Sequence, residues 1–161
     1  MHVRYIVAIV LVTACTASLS QAQTQQALVG TWTLDSSLRI DGETRVDQFG
    51  TGATGALTFD PTGHFVLVIL GPDLPRFASG NRATATGDEA RAVMAHSVSM
   101  IGTYKLDGKS LHLITAASSF PNWNGTDQIR TIQTLDADTL AYGNAAASSG
   151  GQAVVTWKRA H

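Results

Sequence analysis

Short strand–turn–strand units limit the folds open to this chain more than any other part of its sequence. Residues 56–70 form two apolar segments on either side of Pro61-Thr-Gly63, where proline presets the turn and glycine accepts a positive φ. Residues 100–115 repeat this pattern around Asp107-Gly108, a dipeptide typical of a tight hairpin turn. Strands joined by such short turns pair antiparallel, so we predict an all-β protein.

Other segments also have the composition of strands, and together with these hairpins they make about eight strands. They are residues 28–34, a weaker segment at 45–49, a hairpin over 128–142 that turns at Asp136-Ala-Asp138, and residues 153–159. The 15 glycines of the chain suit a β protein rich in turns. About eight strands joined mostly by short turns are typical of an antiparallel up-and-down barrel rather than a sandwich.

One segment departs from the strand pattern and predicts a single short helix over about residues 86–97. Thr86 and Glu89 have the spacing of a capping box, in which each side chain bonds the backbone N–H of the other residue. The residues that follow place a shared face at Ala90, Val93, Met94 and Ser97. Residues 64–70 are apolar on both faces, and we predict that this helix face covers the outer one.

Residues 1–22 have the pattern of an export signal. A short basic start precedes the apolar run 5–12, which is too short to cross a bilayer. Ser20 and Ala22 are small residues at the −3 and −1 positions of a cut after Ala22. This pattern predicts a mature domain of residues 23–161 outside the cytoplasm, either periplasmic or secreted.

A lipoprotein signal over residues 1–14 is the alternative. Val12-Thr-Ala-Cys15 resembles a loose bacterial lipobox, in which Cys15 would be lipidated and would anchor the protein to the cell envelope. An uncleaved anchor is a third alternative. In each case the only cysteine of the chain lies in this leader, so no thiol chemistry is expected of the folded domain.

Composition and motif content exclude several classes of function. The chain has 11 Lys and Arg against 12 Asp and Glu, so it lacks the basic excess typical of proteins that bind nucleic acid. It contains no Gly-x-Ser-x-Gly elbow, no glycine-rich phosphate loop and no His-x-His or His-Glu-x-x-His pair. We therefore predict no cofactor and no metal site. The sequence leaves the oligomeric state open.

Motifs spread along residues 28–159 carry a family resemblance. They include Gly30-Thr-Trp32-Thr-Leu34, Gly55-Ala-Leu-Thr-Phe59, Gly102-Thr-Tyr104, Phe120-Pro-Asn-Trp-Asn-Gly and Trp157-Lys-Arg159. In order and spacing they resemble the lipocalin-like domain proteins of bacteria and fungi, which are calycin-type barrels. The resemblance implies a barrel of about eight strands, a number that can leave room for one small ligand.

The resemblance also implies a structural role for residues at one end of the barrel. In lipocalins a Gly-x-Trp on the first strand packs at the closed end, and a basic side chain of the last strand lies across the indole. Gly30 and Trp32 match the first element, and Trp157 with Arg159 matches the second. A cation over an aromatic face stabilises such an arrangement by about 0.5–2 kcal/mol, depending on burial.

The candidates for binding a ligand are Arg76, Tyr104, His112, Phe120, Trp123 and Arg130. Phe120 and Trp123 either present a surface to a ligand at the barrel rim or form only a structural turn. Arg130 either binds a ligand carboxylate inside the barrel or pairs with Asp127 at the surface. Arg76 either anchors a ligand at the barrel mouth or forms a salt bridge in its own loop.

Two further candidates, Tyr104 and His112, have ordinary structural interpretations as well. Tyr104 shares a strand face with Met100 and Leu106, so its hydroxyl either belongs to the core or lines a cavity. His112 lies within a strand, where a solvent-facing or hydrogen-bonded histidine is the default. We predict a cavity that contains Tyr104 or Arg130.

Three hypotheses for function follow, and the fold alone does not choose between them. The first is an exported binding protein for a small hydrophobic or amphipathic molecule. The second is an enzyme of the isomerase or cyclase type that uses Tyr104, His112 or Arg130 for acid–base chemistry. The third is a filled structural barrel without a ligand. Contact with a membrane is predicted only through the lipid anchor.

Overall fold

The computed structural model describes residues 25–161, so the predicted leader, with Cys15, lies outside the described residues. Residues 25–28 are helical, and one α-helix, α1 (Gly87–Ala95), lies in the middle of the chain. The strands are β1 (Gly30–Asp41), β2 (Thr44–Asp47), β3 (Thr54–Phe59), β4 (His64–Leu70), β5 (Ser97–Asp107), β6 (Ser110–Ser118), β7 (Asp127–Leu135), β8 (Thr139–Asn144) and β9 (Gln152–Arg159). No helix in this part of the chain is long and apolar enough to cross a membrane.

The strands form one antiparallel sheet that closes on itself. From β3 to β9 each strand pairs with the next in the chain, and β1 pairs with both β3 and β9. The short β2 pairs with Leu38–Asp41, on the same edge of β1 that β3 uses at Gly30–Thr33. The result is a closed eight-stranded up-and-down barrel with β2 as an added segment, which confirms the predicted fold class.

Local chemistry explains the tight turns at one end of the barrel. Oδ1 of Asp60 accepts hydrogen bonds from the backbone N–H groups of Thr62 and His64 at 2.8 and 2.9 Å. Gly63 in the same turn has a φ of 93°, and Gly108 in the β5–β6 turn has a φ of 56°. Both glycines occupy the left-handed region that other residues rarely adopt. The hairpins therefore form where turn chemistry predicts them.

Trp32 seals the end of the barrel at which these tight turns lie. Its side chain is fully buried, and its Nε1–H donates to the carbonyl of Leu28 at 2.8 Å. The guanidinium of Arg159 lies 4.0 Å from the centre of the indole ring. The same guanidinium donates to the carbonyls of Ala27 and Val29 at 2.7 and 2.9 Å. This is the arrangement that the family resemblance implies for a closed end.

Gly30 and Trp157, the other residues expected at the closed end, also lie there. A Cβ on Gly30 would lie 2.9 Å from Nη1 of Arg159, and the φ of 127° would strain any side chain. Trp157 is fully buried on β9. Glycine at position 30 therefore lets the first strand pass close beneath Arg159.

Several element boundaries differ from the sequence prediction. Leu28, predicted to begin the first strand, is helical and fully buried, and its carbonyl accepts from Trp32. β1 continues to Asp41 because its second half pairs with β2 and β9. The predicted capping box at Thr86 and Glu89 is present, but Ser97 begins β5 instead of completing the helix face.

The prediction that the helix covers the outer face of β4 is wrong. Met94 of α1 is 52% exposed, and Val66 on the outer face of β4 is 49% exposed. The contacts of α1 with the barrel are mainly to β5, which directly follows it in the chain. The outer face of β4 therefore remains at the surface.

Acid is expected to destabilise the protein through carboxylates in its turns. Backbone N–H donors, chiefly that of His64 for Asp60 and that of Asp138 for Asp136, hold the pKa of each carboxyl below its usual range. A lowered folded-state pKa stabilises the fold above the unfolded-state value, and this contribution disappears as the pH falls through the folded-state pKa. The melting temperature should therefore decrease as the pH is lowered below about 4.

Thermal melts followed by circular dichroism across this pH range would check the expectation. Asp60→Asn keeps an acceptor oxygen in the β3–β4 turn and removes the titrating carboxyl. Its melting temperature should therefore decrease less steeply in acid than that of the unchanged protein. An identical pH dependence for both proteins would show that Asp60 contributes nothing to the acid transition.

Candidate ligand-binding site

The longer connections of the barrel meet at the end opposite Trp32. Successive connections of an up-and-down barrel alternate between its two ends, so the tight turns close one end and the long loops surround the other. We call the second one the open end. Its loops are residues 48–53, residues 71–96 with α1, residues 119–126 and residues 145–151.

An inner cavity of about 30 Å³ lies inside the barrel near the open end. Its lining combines apolar strand residues with buried polar ones, namely Ser37, Arg130, Tyr142 and Asn144. A space of this size holds one or two water molecules. Side chains therefore fill most of the barrel interior.

A larger mouth depression of about 410 Å³ lies at the open end beside α1. Apolar side chains of Phe49, Met94, Val98 and Phe120 line it, together with Arg91 of α1 and nearby serines. Phe49, Val98 and Ser148 line the inner cavity as well, so the two spaces are neighbours. The mouth depression falls within the range of roughly 300–1,000 Å³ that is usual for small-molecule pockets.

Arg130 on β7 places a buried charge at the inner cavity. Its side chain is 4% exposed, and burial lowers its pKa, while the neighbouring Tyr142 acts in the opposite direction. Its Cζ lies 5.4 Å from the centre of the Trp123 ring, and Nη1 donates to the carbonyl of Ile129 at 3.2 Å. None of the ion pairs within residues 25–161 includes Arg130. The cavity therefore contains a cation without a protein counter-ion in the described chain.

β8 contributes two cavity residues that are not among the candidates predicted from the sequence. Tyr142 and Asn144 lie on the inward face of this strand with Leu140, and both are buried. Burial raises the pKa of Tyr142, against the opposing effect of the positive charge on Arg130. The tyrosine therefore keeps its hydroxyl proton near neutral pH. The alternation of Leu140 and Tyr142 along the predicted strand was a signal for Tyr142, whereas Asn144 lies beyond the predicted end of that strand at residue 142.

Phe120 and Trp123 combine the two roles that the sequence left open. Phe120 caps the 3₁₀ turn Pro121–Trp123 and Trp123 is its last residue, and their rings meet edge to face with centroids 5.3 Å apart. Trp123 lines the inner cavity, whereas Phe120 lines the mouth depression. The aromatic pair is thus both a structural turn and a part of the cavity wall.

Tyr104 lies away from both spaces, at the closed end. Its hydroxyl donates to the carbonyl of Asp60 at 2.9 Å, and its ring meets Phe59 edge to face at 4.6 Å. Burial is the main cause that raises the pKa of Tyr104. Of the two residues predicted to line a cavity, Arg130 lines the inner cavity, whereas Tyr104 belongs to the core.

Arg76 and His112 also lie outside the cavity walls. His112 points away from the barrel interior, between the inward Leu111 and Leu113, and its ring contacts the carboxylate of Asp127 at 2.7 Å. Asp127 therefore pairs with this histidine and not with Arg130. Arg76 is exposed in the β4–β5 connection. Within the described residues, no three His, Asp, Glu or Cys side chains lie close enough together to hold a metal ion.

A closed eight-stranded barrel, sealed at one end and open to a lined cavity at the other, has the architecture of a ligand-binding barrel. The family model for the lipocalin-like domain matches residues 29–160 of this chain. The protein therefore belongs to the lipocalin-like domain family, as the sequence motifs indicate.

Solved structures and curated proteins add little to this assignment. A de novo designed fluorescence-activating β-barrel is 13% identical, with a TM-score of 0.44, and covers 85% of this chain and 97% of its own. A redesigned β-barrel bound to DFHBI is 16% identical, with a TM-score of 0.41, and covers 84% of this chain and 98% of its own. No curated protein matches the chain significantly.

Proposed function

We propose that this protein is an exported binding protein that takes up a small, partly apolar molecule through the open end of its barrel. The observation that carries the proposal is the mouth depression of about 410 Å³, which adjoins the inner cavity across Phe49. The surface of its walls is mainly apolar, and the buried cation Arg130 lies in the adjoining inner cavity. This distribution suits a ligand with an apolar body and a polar end.

An acid–base enzyme has less support from the geometry. Two of the three residues considered for such chemistry, Tyr104 and His112, lie away from the cavities, in the core and on the outer surface. Arg130 remains at the inner cavity, but an arginine does not lose its proton readily and is a poor general base. The cavity therefore supports binding better than catalysis.

Export rests on the pattern of residues 1–22 and lies outside the described structure. Intact mass measurement of the protein recovered from its own host would distinguish the alternatives. A cut after Ala22 gives an unmodified mature chain, whereas the lipoprotein route leaves Cys15 with an attached lipid. A full-length chain recovered from the cytoplasm would overturn the export proposal.

Binding can be tested with Nile red, a neutral fluorophore that responds to an apolar surrounding. We expect one saturable site per chain, and a roughly five- to tenfold loss of affinity in Met94→Lys, because a charge then lies on the apolar wall of the mouth depression. Val66→Lys is the matched control, since the two side chains are 52% and 49% exposed and Val66 lies on the outer barrel face. It should bind the probe as the unchanged protein does.

The two variants also separate specific uptake from surface adsorption. Equal losses in Met94→Lys and Val66→Lys would show that the probe adsorbs to the barrel exterior. The absence of saturable binding to the unchanged protein would overturn the proposed function and favour a filled structural barrel.

A further inference from the structure

We propose that the inner cavity is an anion site, and that the ligand is a small amphipathic carboxylic acid whose carboxylate binds Arg130. This inference rests on the proposed binding function and adds the chemical class of the ligand. Two observations support it. The guanidinium of Arg130 is buried without a counter-ion, and the polar residues beside it in the cavity include no carboxylate. The apolar body of the acid would occupy the mouth depression.

The charge of Arg130 is incompletely compensated by the protein. A guanidinium has five N–H donors, and within residues 25–161 the side chain of Arg130 makes one hydrogen bond, from Nη1 to the carbonyl of Ile129. Trp123 offers its ring face at 5.4 Å, which is a partial compensation only. Buried charges in proteins are normally paired because burial of an isolated charge is unfavourable. A bound anion would supply the missing partner.

The carboxylate nearest in sequence does not supply that partner. Asp127 lies three positions before Arg130 on β7 and therefore faces the opposite side of the sheet. There its carboxylate contacts the ring of His112 at 2.7 Å. The side chain of Arg130 thus lies inside the barrel, with the acidic residue of its own strand engaged on the outside.

Two other buried polar groups of the inner cavity, Asn144 and Tyr142, have donors free. Oδ1 of Asn144 already accepts from the N–H of Ala146 at 3.1 Å, which leaves its amide N–H groups for a ligand. The hydroxyl of Tyr142 is protonated near neutral pH and is therefore able to donate. Ser37 and Gln48, which also line this cavity, already use donors on protein acceptors: Ser37 donates to Oε1 of Gln48 at 3.0 Å, and Nε2 of Gln48 donates to Ser149 at 2.9 Å. A guanidinium, an amide and a phenol that converge as donors suit an acceptor with negative charge.

The sizes of the two spaces fit a molecule with a small charged end and a larger apolar body. The inner cavity of about 30 Å³ holds one or two water molecules, which is close to the space that a carboxylate group needs. The planar guanidinium matches two carboxylate oxygens at once. Phe49 lines both spaces, so the apolar part of the acid would pass this side chain on its way out to the mouth depression.

The test compares decanoate with decan-1-ol, which share an alkyl chain and differ in charge, by isothermal titration at neutral pH. We expect the unchanged protein to bind decanoate roughly 10- to 100-fold more tightly than decan-1-ol, because the charged end gains charge-assisted hydrogen bonds. Arg130→Met should remove this preference and leave the affinity for decan-1-ol within about twofold. Arg76→Met, which removes an exposed loop arginine, is the control for net charge and should keep the preference.

The variant Tyr142→Phe and the melting temperature of Arg130→Met distinguish loss of the anion site from loss of the fold. Tyr142→Phe removes one donor and should weaken decanoate binding by roughly three- to tenfold, with decan-1-ol unaffected. Arg130→Met should melt at the same temperature as the unchanged protein or higher, because it removes a buried charge that has no counter-ion. If Arg130→Met fails to fold, the selective effect of Tyr142→Phe decides the question.

The outcomes separate this inference from the proposed function. If Nile red binds and the two decyl compounds bind equally, the anion site is wrong and the binding function stands. If Nile red binds but decanoate does not, the anion site is wrong as well. If none of these probes binds, both proposals are wrong.

Discussion

Alanine in place of Trp32 is expected to lower the free energy of unfolding by about 3–5 kcal/mol. The side chain is fully buried at the closed end, so its removal leaves a cavity that the surrounding strands cannot fill without distortion. The change also leaves the carbonyl of Leu28 without its indole donor at 2.8 Å. In addition, the guanidinium of Arg159 loses the ring that it covers at 4.0 Å.

Urea unfolding followed by circular dichroism would measure this loss. Trp123→Ala is the matched control, because it removes the same side chain from a partly exposed position at the open end. We expect it to lower the free energy of unfolding by no more than about 1–2 kcal/mol, since less apolar surface is buried there. Equal losses from the two alanine variants would show that the closed end is not the main stabilising contact of the barrel.

Alanine in place of Gly102 is expected to lower the free energy of unfolding by roughly 3 kcal/mol. An added Cβ would lie 2.0 Å from the carbonyl oxygen of Ile114 and 3.0 Å from the backbone nitrogen of Ala116. These are backbone atoms of β6 at an irregularity in the β5–β6 register, so no side-chain rotation relieves the contact. The two strands would have to separate where they now pair.

Gly87→Ala is the matched control for this change. Gly87 is the first residue of α1, and an added Cβ there would meet no atom within 4 Å. Alanine is also the better helix former, so we expect an unchanged protein or a gain of up to about 1 kcal/mol. Comparison of the two variants by thermal melting then isolates the contact at Gly102. A melting temperature for Gly102→Ala close to that of the unchanged protein would show that β6 can shift at low energetic cost.

The elements that were predicted well depend on local chemistry. Proline and glycine at Pro61-Thr-Gly63 and the dipeptide Asp107-Gly108 specify turns through backbone preferences that act over a few residues. The capping box at Thr86 and Glu89 is equally local. The end of β1 at Asp41 was not predicted, because that strand continues only where β2 and β9 pair with it. The position of α1 at the open end likewise depends on how a long connection packs.

Only part of the candidate site was predicted, because strand patterns are local and the site depends on the tertiary arrangement. Strand alternation identifies which side chains share a face, so Arg130 and Tyr104 were both credible cavity residues. Alternation says nothing about height along the barrel axis, and Tyr104 lies near the closed end while Arg130 lies near the open one. His112 was a candidate by residue type alone, and its strand face points outward. Tyr142 was detectable from alternation in the predicted hairpin but carried no motif, and Asn144 lies beyond the predicted end of that strand.

The sequence by itself determined an antiparallel barrel, its tight hairpins, one capped helix and the family to which the chain belongs. These properties follow from turn residues, alternation and motifs whose physical effects extend over a few residues. Only the tertiary structure decided which polar side chains meet inside the barrel. The β7–β8 pairing brings Arg130 near Tyr142, and closure between β1 and β9 encloses both with Ser37, at a depth that no local pattern encodes.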